Sequence, residues 1–176
     1  ETPDKLLLGL EKITATFVLY ADRIRDAGAD GLFFATTHWA SEDSLTFEQY
    51  RIFGRPFDLR VIKAAGEDSL NILHVCGSHN FLAQLADYPA PMINWDACDP
   101  TNLPLDRAAD IISDKVIIGG LDHTGWLKFA TPLEIGHEMA KIKEKMSGRK
   151  FIFGPGCTIA PEIPEANLRA VRDSLI

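Results

Sequence analysis

Short apolar runs alternate with segments of helical periodicity along this chain, and no other feature of the sequence limits the fold as strongly. The runs cover residues 31–37, 70–77, 92–96, 116–122 and 151–156. Each run is short enough for a strand, and a segment with helical spacing of its apolar residues follows each one. Strands that alternate with helices pair into a parallel sheet with the helices packed outside it. The sequence therefore predicts an α/β fold in which strand–helix units follow an opening helix.

Start and stop signals bound the predicted helices. The opening helix covers residues 4–27, where apolar side chains recur at helical spacing, and Gly28 follows as a stop signal. Thr46 and Gln49 form a capping-box pattern for a helix that reaches about residue 65, and Pro56 is expected to kink or divide it. Further helices are predicted over about 80–86, 105–112 and 131–146, and a last one from Pro164 with an apolar stripe of Leu168, Val171 and Leu175.

Two topologies fit this alternation, an open doubly wound sheet and part of a (β/α)8 barrel. The first run, 31–37, is continuously apolar, so we expect a strand that is buried on both faces. No glycine-rich dinucleotide fingerprint follows any run, which disfavours a nucleotide-binding open sheet. Polar residues gather just past the carboxyl ends of all the runs, where both topologies place their functional site. The sequence thus locates the site without choosing the topology.

The composition excludes several classes of protein. With 176 residues, 46% of them hydrophobic and 24% charged, the chain is expected to form one globular domain over residues 1–176. A formal net charge of −7 and the lack of a Lys/Arg cluster argue against a nucleic-acid-binding protein. No apolar run approaches the roughly 20 residues that span a bilayer, and the first residues lack the pattern of a signal peptide. We therefore expect a cytoplasmic protein without membrane association, whose cysteines are reduced.

The run 70–77 carries two side chains that can bind a metal. His74 and Cys76 lie two positions apart, which places both on one face of a strand. Cys157 follows the last run, where a strand should give way to a loop. One histidine and two cysteines suit a zinc ion, provided that the fold brings them together. A structural role is the alternative, because a cysteine in a buried strand is often a small core residue. Cys98 has no matching partner and is interpreted as structural or incidental.

Further polar residues lie at the ends of the other runs. Asp122 and His123 are predicted to be catalytic, either by orienting a ligand or by supporting a zinc-bound histidine. An aspartate after a strand is also a common helix cap, and both interpretations stay open. Substrate contacts are predicted for four residues at or just past predicted strands, which are His38, Trp39, Trp95 and Asp96. A tryptophan in such a loop could instead simply cover the rim of the sheet.

Several motifs give the sequence a family resemblance. They are Gly-Ala-Asp-Gly at 28–31, Ile-Leu-His-Val-Cys-Gly at 72–77, Gly-Leu-Asp at 120–122 and Gly-Pro-Gly-Cys-Thr-Ile-Ala-Pro-Glu at 154–162. With these motifs the chain resembles the carboxy-terminal part of the uroporphyrinogen decarboxylase superfamily, a family of (β/α)8 barrels that also includes the corrinoid-linked methyltransferases. The resemblance covers nearly the whole chain. It implies an incomplete TIM-barrel-type fold, made of about the last five of eight strand–helix units.

Within this superfamily, the chain looks closer to the zinc-dependent, corrinoid-linked methyltransferase branch. The zinc motif of that branch, a His-x-Cys on one strand and a distant cysteine, is similar to His74, Cys76 and Cys157. The decarboxylases instead carry a site histidine where Pro155 stands here. The resemblance implies zinc as cofactor, methylcobalamin on a separate corrinoid protein as methyl donor, and a small thiol as acceptor. A tetrapyrrole-binding, decarboxylase-like protein is one alternative, and a truncated, non-catalytic fragment is another.

The resemblance also bears on oligomeric state. If the strands are the last of a barrel, the first three are absent and the predicted strand at 31–37 has an open edge. An open strand edge is an aggregation liability that proteins cover. We therefore expect a homodimer in which a second copy covers the edges.

Overall fold

The computed structural model of the protein describes residues 2–66 and 68–176. Within them, the strands are β1 (Phe33–Ala35), β2 (Ile72–Val75), β3 (Met92–Trp95), β4 (Val116–Leu121) and β5 (Phe151–Pro155). The α-helices are α1 (Pro3–Asp26), α2 (Phe47–Phe53), α3 (Arg55–Ala64), α4 (Leu105–Ile111), α5 (Trp126–Phe129), α6 (Pro132–Lys145) and α7 (Glu165–Asp173). Two short 3-10 helices cover Thr37–Trp39 and Leu82–Leu85. None of the described helices is long and apolar enough to cross a bilayer.

The strands form one sheet in the order β1-β2-β3-β4-β5. β1 runs parallel to β2 with Phe33 opposite Ile72, and β4 runs parallel to β5 with Leu121 opposite Pro155. A doubly wound sheet reverses its strand order at a switch point, whereas the strands of a (β/α)8 barrel follow one another in chain order. The strand order therefore agrees with the predicted α/β fold of incomplete TIM-barrel type.

The chain divides into two compact units, Glu1–Asn94 and Trp95–Ile176. In the first unit α1 packs against α3. The predicted capping box of Thr46 and Gln49 opens α2, and α2 and α3 are separated at Gly54 with Pro56 in the first turn of α3. The predicted division of this helix is therefore confirmed. The largest buried side chains of this unit are Tyr50, Ile62, Leu73, Phe81, Leu82, Leu85, Tyr88 and Ile93. The expectation of a single domain over residues 1–176 stays a prediction.

The prediction that the first strand is buried on both faces is wrong. β1 is a short edge strand, and Phe33 is 61% exposed. An edge strand has a neighbouring strand on one side only, and here an open groove of about 780 Å³ lies between β1, α1 and the α2–α3 pair. No side chain among the described residues fills this groove. The apolar side chains of β1 therefore line it.

In the second unit, a cluster of buried side chains lies beneath α6: Leu121, Leu127, Ile135, Met139 and Ile163. The predicted capping box of Thr131 and Glu134 opens α6. The predicted stripe of α7 is correct only at Val171, which packs against this cluster, whereas Leu168 and Leu175 are 38% and 49% exposed. The buried residue is Asn167, whose Nδ2 donates to the carbonyls of Leu127 and Ala130 at 2.9 and 3.0 Å. These two hydrogen bonds set the rotation of α7.

Candidate metal centre

His74 lies on β2 with its side chain buried. Its Nδ1 is 2.6 Å from Oδ1 of Asn94, a buried residue of the neighbouring strand β3. With an amide oxygen as its partner, Nδ1 carries the ring proton, and the lone pair that a metal needs then resides on Nε2. The ring of Phe33 stacks on the imidazole with 5.4 Å between centroids. The hydrogen bond to Asn94 and the stacked ring of Phe33 therefore fix the orientation of the imidazole.

Cys76 follows the end of β2 and its side chain is half-buried. Gly77, the next residue, has φ of +87°. That left-handed conformation favours glycine and turns the chain away from the strand directly after the cysteine. Cys76 is thereby held close to the strand end that also carries His74.

Cys157 lies just past β5, where the backbone of the second unit is tightly packed. Pro155 is the last paired residue of β5, and the N–H of Gly156 donates to the carbonyl of Leu121 at 3.3 Å. A Cβ at Gly156 would lie 2.6 Å from the Cα of Asp96, a distance that no side chain could relieve. Only glycine allows this approach, so Gly156 fixes the path of the chain into Cys157.

The three predicted ligands form a compact group. One ligand atom from each of His74, Cys76 and Cys157 lies within 4.8 Å of the other two. Ligand atoms around a tetrahedral zinc with bonds of about 2.0–2.3 Å are roughly 3.3–3.8 Å apart. One imidazole nitrogen and two sulfurs are also the donors that zinc prefers. The residues present therefore fit a single zinc ion, and no other group of this kind occurs within residues 2–66 and 68–176.

The side chain of Asp122 stabilises the turn that leads into α5. Its Oδ1 accepts hydrogen bonds from the N–H of Gly125 at 2.7 Å and from the N–H and Oγ1 of Thr124, both at 3.2 Å. These hydrogen bonds close an Asx-type turn before α5, whose N-cap is Gly125, so Asp122 forms a turn and does not cap the helix. A catalytic role for Asp122 stays a prediction.

Of the two predicted catalytic residues, His123 has the side chain that is less engaged in hydrogen bonds. Its side chain is 11% exposed, and its Nδ1 is buried without a hydrogen-bond partner among the described residues. The nearest carboxylate oxygen is Oδ2 of Asp96, which lies 3.9 Å away. The other oxygen of Asp96 accepts a hydrogen bond from the N–H of Cys98 at 3.0 Å. A catalytic role for His123 and substrate binding by Asp96 stay predictions.

The other predicted substrate contacts differ in exposure. His38 and Trp39 lie in the first 3-10 helix, and their rings are 4.6 Å apart. Trp39 is 54% exposed, whereas Trp95 is fully buried and its ring N–H donates to the carbonyl of Leu103 at 2.8 Å. Contact of these residues with a substrate stays a prediction. The buried ring of Trp95 does not support such a contact.

Cys98 lies outside the group of predicted ligands. Its Sγ is 3.9 Å from the carbonyl of Gly120. Desolvation of the sulfur, and then the carboxylates of Asp122 and Asp96, raise the pKa of this thiol to about 12. A thiol with so high a pKa stays protonated at neutral pH, and Cys98 is not part of the ligand group, which agrees with a structural or incidental role.

Sequence reasoning missed Asn94 as the partner of His74. The available signal was a polar residue within the otherwise apolar run 92–96, which requires a hydrogen-bond partner once it is buried. The identity of that partner depends on which strand lies next to β3, and this information comes only from the fold.

Comparisons with known proteins identify relatives of this chain. A family model described as Uroporphyrinogen decarboxylase (URO-D) matches residues 1–175. The chain is 29% identical over 160 residues to "Methylcobamide:CoM methyltransferase MtaA" of Methanosarcina barkeri (strain Fusaro / DSM 804), covering 88% of this chain and 43% of that protein. A second protein of the same name from Methanosarcina barkeri is 28% identical over 169 residues, covering 92% of this chain and 46% of that protein.

The fold has a counterpart among solved structures. A methyltransferase from Methanosarcina mazei superposes with a TM-score of 0.71 at 23% identity, covering 92% of this chain and 46% of that chain. The chain thus spans less than half the length of the curated relatives that it matches. Because the family model extends over nearly every residue, the chain belongs to the uroporphyrinogen decarboxylase (URO-D) family.

Proposed function

We propose that this chain is the zinc-binding part of a methyltransferase that moves a methyl group from a corrinoid donor to a thiol acceptor. The observation that carries the proposal is the grouping of His74, Cys76 and Cys157 within 4.8 Å. Membership of the URO-D family and similarity to proteins named methylcobamide:CoM methyltransferase support a methyltransferase-like role at the family level. The specific donor and acceptor belong to the proposal.

Each of the three residues has a defined part in this proposal. Nε2 of His74 and the sulfurs of Cys76 and Cys157 would hold zinc, and Asn94 would keep the imidazole in the tautomer that binds metal. Three protein ligands leave the fourth tetrahedral position open for a substrate. Bound zinc would supply positive charge that converts an acceptor thiol into a thiolate at neutral pH. That thiolate is the nucleophile that methyl transfer requires.

The methyl donor is proposed to be methylcobalamin carried by a separate corrinoid protein. Functional sites of parallel α/β proteins lie at the carboxyl ends of the strands, and the three proposed ligands lie at or just past such ends. A second protein would therefore deliver its methyl group at this edge of the sheet. A cytoplasmic location remains part of the expectation from sequence.

Metal content after extensive dialysis tests the proposal. We expect close to one zinc per chain in the unchanged protein, and a loss of at least about tenfold in zinc affinity for Cys157→Ser or Cys76→Ser. Cys98→Ser is the matched control, because it makes the same chemical change outside the ligand group and should leave zinc content unchanged. Equal zinc content in Cys157→Ser and Cys98→Ser would contradict the proposal. A zinc-free protein that binds a porphyrinogen would favour the decarboxylase-like alternative, and one that binds neither would favour a non-catalytic fragment.

A further inference from the structure

The loops that follow the strands carry charge of one sign. The segments 36–46, 76–81, 96–104, 122–125 and 156–164, all within the described residues, contain no lysine or arginine. Their carboxylates are Glu42, Asp43, Asp96, Asp99, Asp122 and Glu162. Lys128 on the following helix α5 is matched by Glu162, with 4.0 Å between Nζ and Oε2. The edge of the sheet that carries the proposed zinc ligands is therefore acidic, which disfavours a substrate with an anionic end.

A histidine nitrogen and a carboxylate oxygen form a close pair within this acidic edge. Oδ2 of Asp96 and Nδ1 of His123 are 3.9 Å apart, too far for a hydrogen bond between them. Nδ1 of His123 is buried and has no hydrogen-bond partner in the described part of the chain. Asp122, the next carboxylate in the chain, is engaged with Thr124 and Gly125. Buried polar groups in folded proteins nearly always have a partner, so a ligand can supply the hydrogen bond that Nδ1 of His123 lacks.

The pair lies beside Cys157 within the second unit. Leu121 and Pro155 are opposite each other in the paired strands, and His123 and Cys157 each come two residues later. Gly156, which precedes Cys157, packs directly on the backbone of Asp96. A small molecule whose sulfur binds with Cys157 at a metal would thus have its other end near Asp96 and His123.

The spacing of the pair indicates the kind of group that it receives. Two acceptors 3.9 Å apart can both lie about 2.9 Å from one nitrogen placed between them. An ammonium has several hydrogens and can donate to both acceptors, whereas a hydroxyl has only one hydrogen to donate. A neutral imidazole with its proton on Nε2 presents Nδ1 as an acceptor, and the Asp96 carboxylate supplies a matching negative charge.

We propose that the methyl acceptor is an aminothiol, whose ammonium group donates hydrogen bonds to Oδ2 of Asp96 and Nδ1 of His123. The proposal rests on the proposed function, because it takes the sulfur of the same molecule to be the zinc-bound nucleophile. It separates this chain from its curated relatives, whose name gives CoM, a thiol with an anionic sulfonate. Here a sulfonate would face the carboxylate of Asp96, and the loops that follow the strands contain no lysine or arginine.

Calorimetric titration of the zinc-loaded chain with three thiols of similar size tests the assignment. The probes are cysteamine, 2-mercaptoethanol and 2-mercaptoethanesulfonate, which carry a positive, a neutral and a negative end. We expect cysteamine to bind at least about tenfold more tightly than the sulfonate at low ionic strength, with a gap that narrows as salt is added. Asp96→Asn should reduce this preference severalfold. Because both proteins are titrated with the same three thiols, differences in thiol pKa affect both preferences equally and do not alter the comparison. Glu144→Gln, at an exposed position of α6, is the control and should leave the preference unchanged.

The outcomes separate this assignment from the proposed function. A zinc-loaded protein that binds the sulfonate as tightly as cysteamine, or whose preference is the same after Asp96→Asn, overturns the aminothiol assignment alone. A protein that holds no zinc overturns the proposed function as well, and its metal content identifies that case. If Asp96→Asn does not fold, the salt dependence of the preference in the unchanged protein gives the same test, since a preference without salt dependence contradicts a charged contact.

Discussion

The hydrogen bond between His74 and Asn94 is the residue-level contact on which zinc affinity should depend. Partners of metal-binding histidines fix the tautomer and the orientation of the ring, and their loss typically lowers metal affinity by about 10–100-fold. We expect Asn94→Ala to lower the zinc affinity by a factor in this range. Competition with a chromophoric zinc chelator measures it.

A second substitution at the same position provides the control. Asn94→Asp keeps an oxygen acceptor opposite Nδ1 of His74, so we expect it to retain most of the affinity. An affinity for Asn94→Ala equal to that of the unchanged protein would contradict the orienting role.

At the residue scale, the sequence predicts chemistry better than geometry. The type and spacing of His74 and Cys76 suggest a metal on their own, because two positions along a strand share a face. That Cys157 lies near them, and that Asn94 faces His74, depends on which strands are neighbours. Spacing along the chain cannot supply that information. Whether the group binds zinc stays a prediction.

At the scale of elements, a partly buried carboxylate joins α2, α3 and the segment after the second 3-10 helix. Asp58 on α3 accepts hydrogen bonds from the hydroxyls of Tyr50 on α2 and Tyr88, the latter at 3.0 Å. The guanidinium of Arg55 lies 4.9 Å from the centre of the Tyr88 ring. Desolvation raises the pKa of Asp58, although both tyrosine hydrogen bonds and Arg55 act in the opposite direction.

This shift predicts how stability depends on pH. Because the folded state holds the proton of Asp58 up to a higher pH than the unfolded state does, the contribution of this group is fully present below the unfolded value and is lost as pH rises through the folded value. Asp58→Asn cannot ionise and keeps an acceptor for both tyrosines. Urea denaturation from acidic to neutral pH should therefore show the free energy of unfolding of Asp58→Asn rising relative to the unchanged protein. A difference that stays constant with pH would contradict this account.

Element boundaries could be predicted from the sequence, whereas exposure could not. The capping boxes at Thr46 and Thr131 mark helix starts through local chemistry, and the structure contains both. The burial of β1 and that of Leu168 and Leu175 were predicted wrongly, because they depend on an unfilled groove and on the two carbonyls that accept hydrogen bonds from Asn167. The short helix α5 has too few residues for a periodic pattern.

At the scale of the whole molecule, the first unit has an exposed apolar surface of the kind that mediates association between proteins. Six large side chains of α1 are at least half exposed: Leu6, Leu8, Ile13, Phe17, Leu19 and Tyr20. Leu6, Ile13, Phe17 and Tyr20 line the groove next to the open edge of β1, whereas Leu8 and Leu19 do not. Contiguous exposed apolar surface of this kind is uncommon in monomeric proteins, and an unpaired strand edge adds hydrogen-bonding groups to it.

We therefore expect two copies of this chain to associate through α1 and β1. Light scattering coupled to size-exclusion chromatography should give the mass of a dimer, and Phe17→Glu should shift the protein towards monomer. Ile176→Glu, at an exposed position outside this surface, is the control and should leave the mass unchanged. A stable, well-folded monomer at all concentrations would contradict the predicted dimer.

The close approach of Gly156 to Asp96 limits how this chain can evolve. Any replacement of Gly156 adds a Cβ, and the obstructing atoms include the Cα and Cβ of Asp96, so no change of rotamer removes the clash. A tolerated replacement would need a compensating shift in the backbone of the loop that follows β3. The segments 96–104 and 156–164 should therefore diverge together among descendants of this gene, while the exposed face of α6 drifts independently.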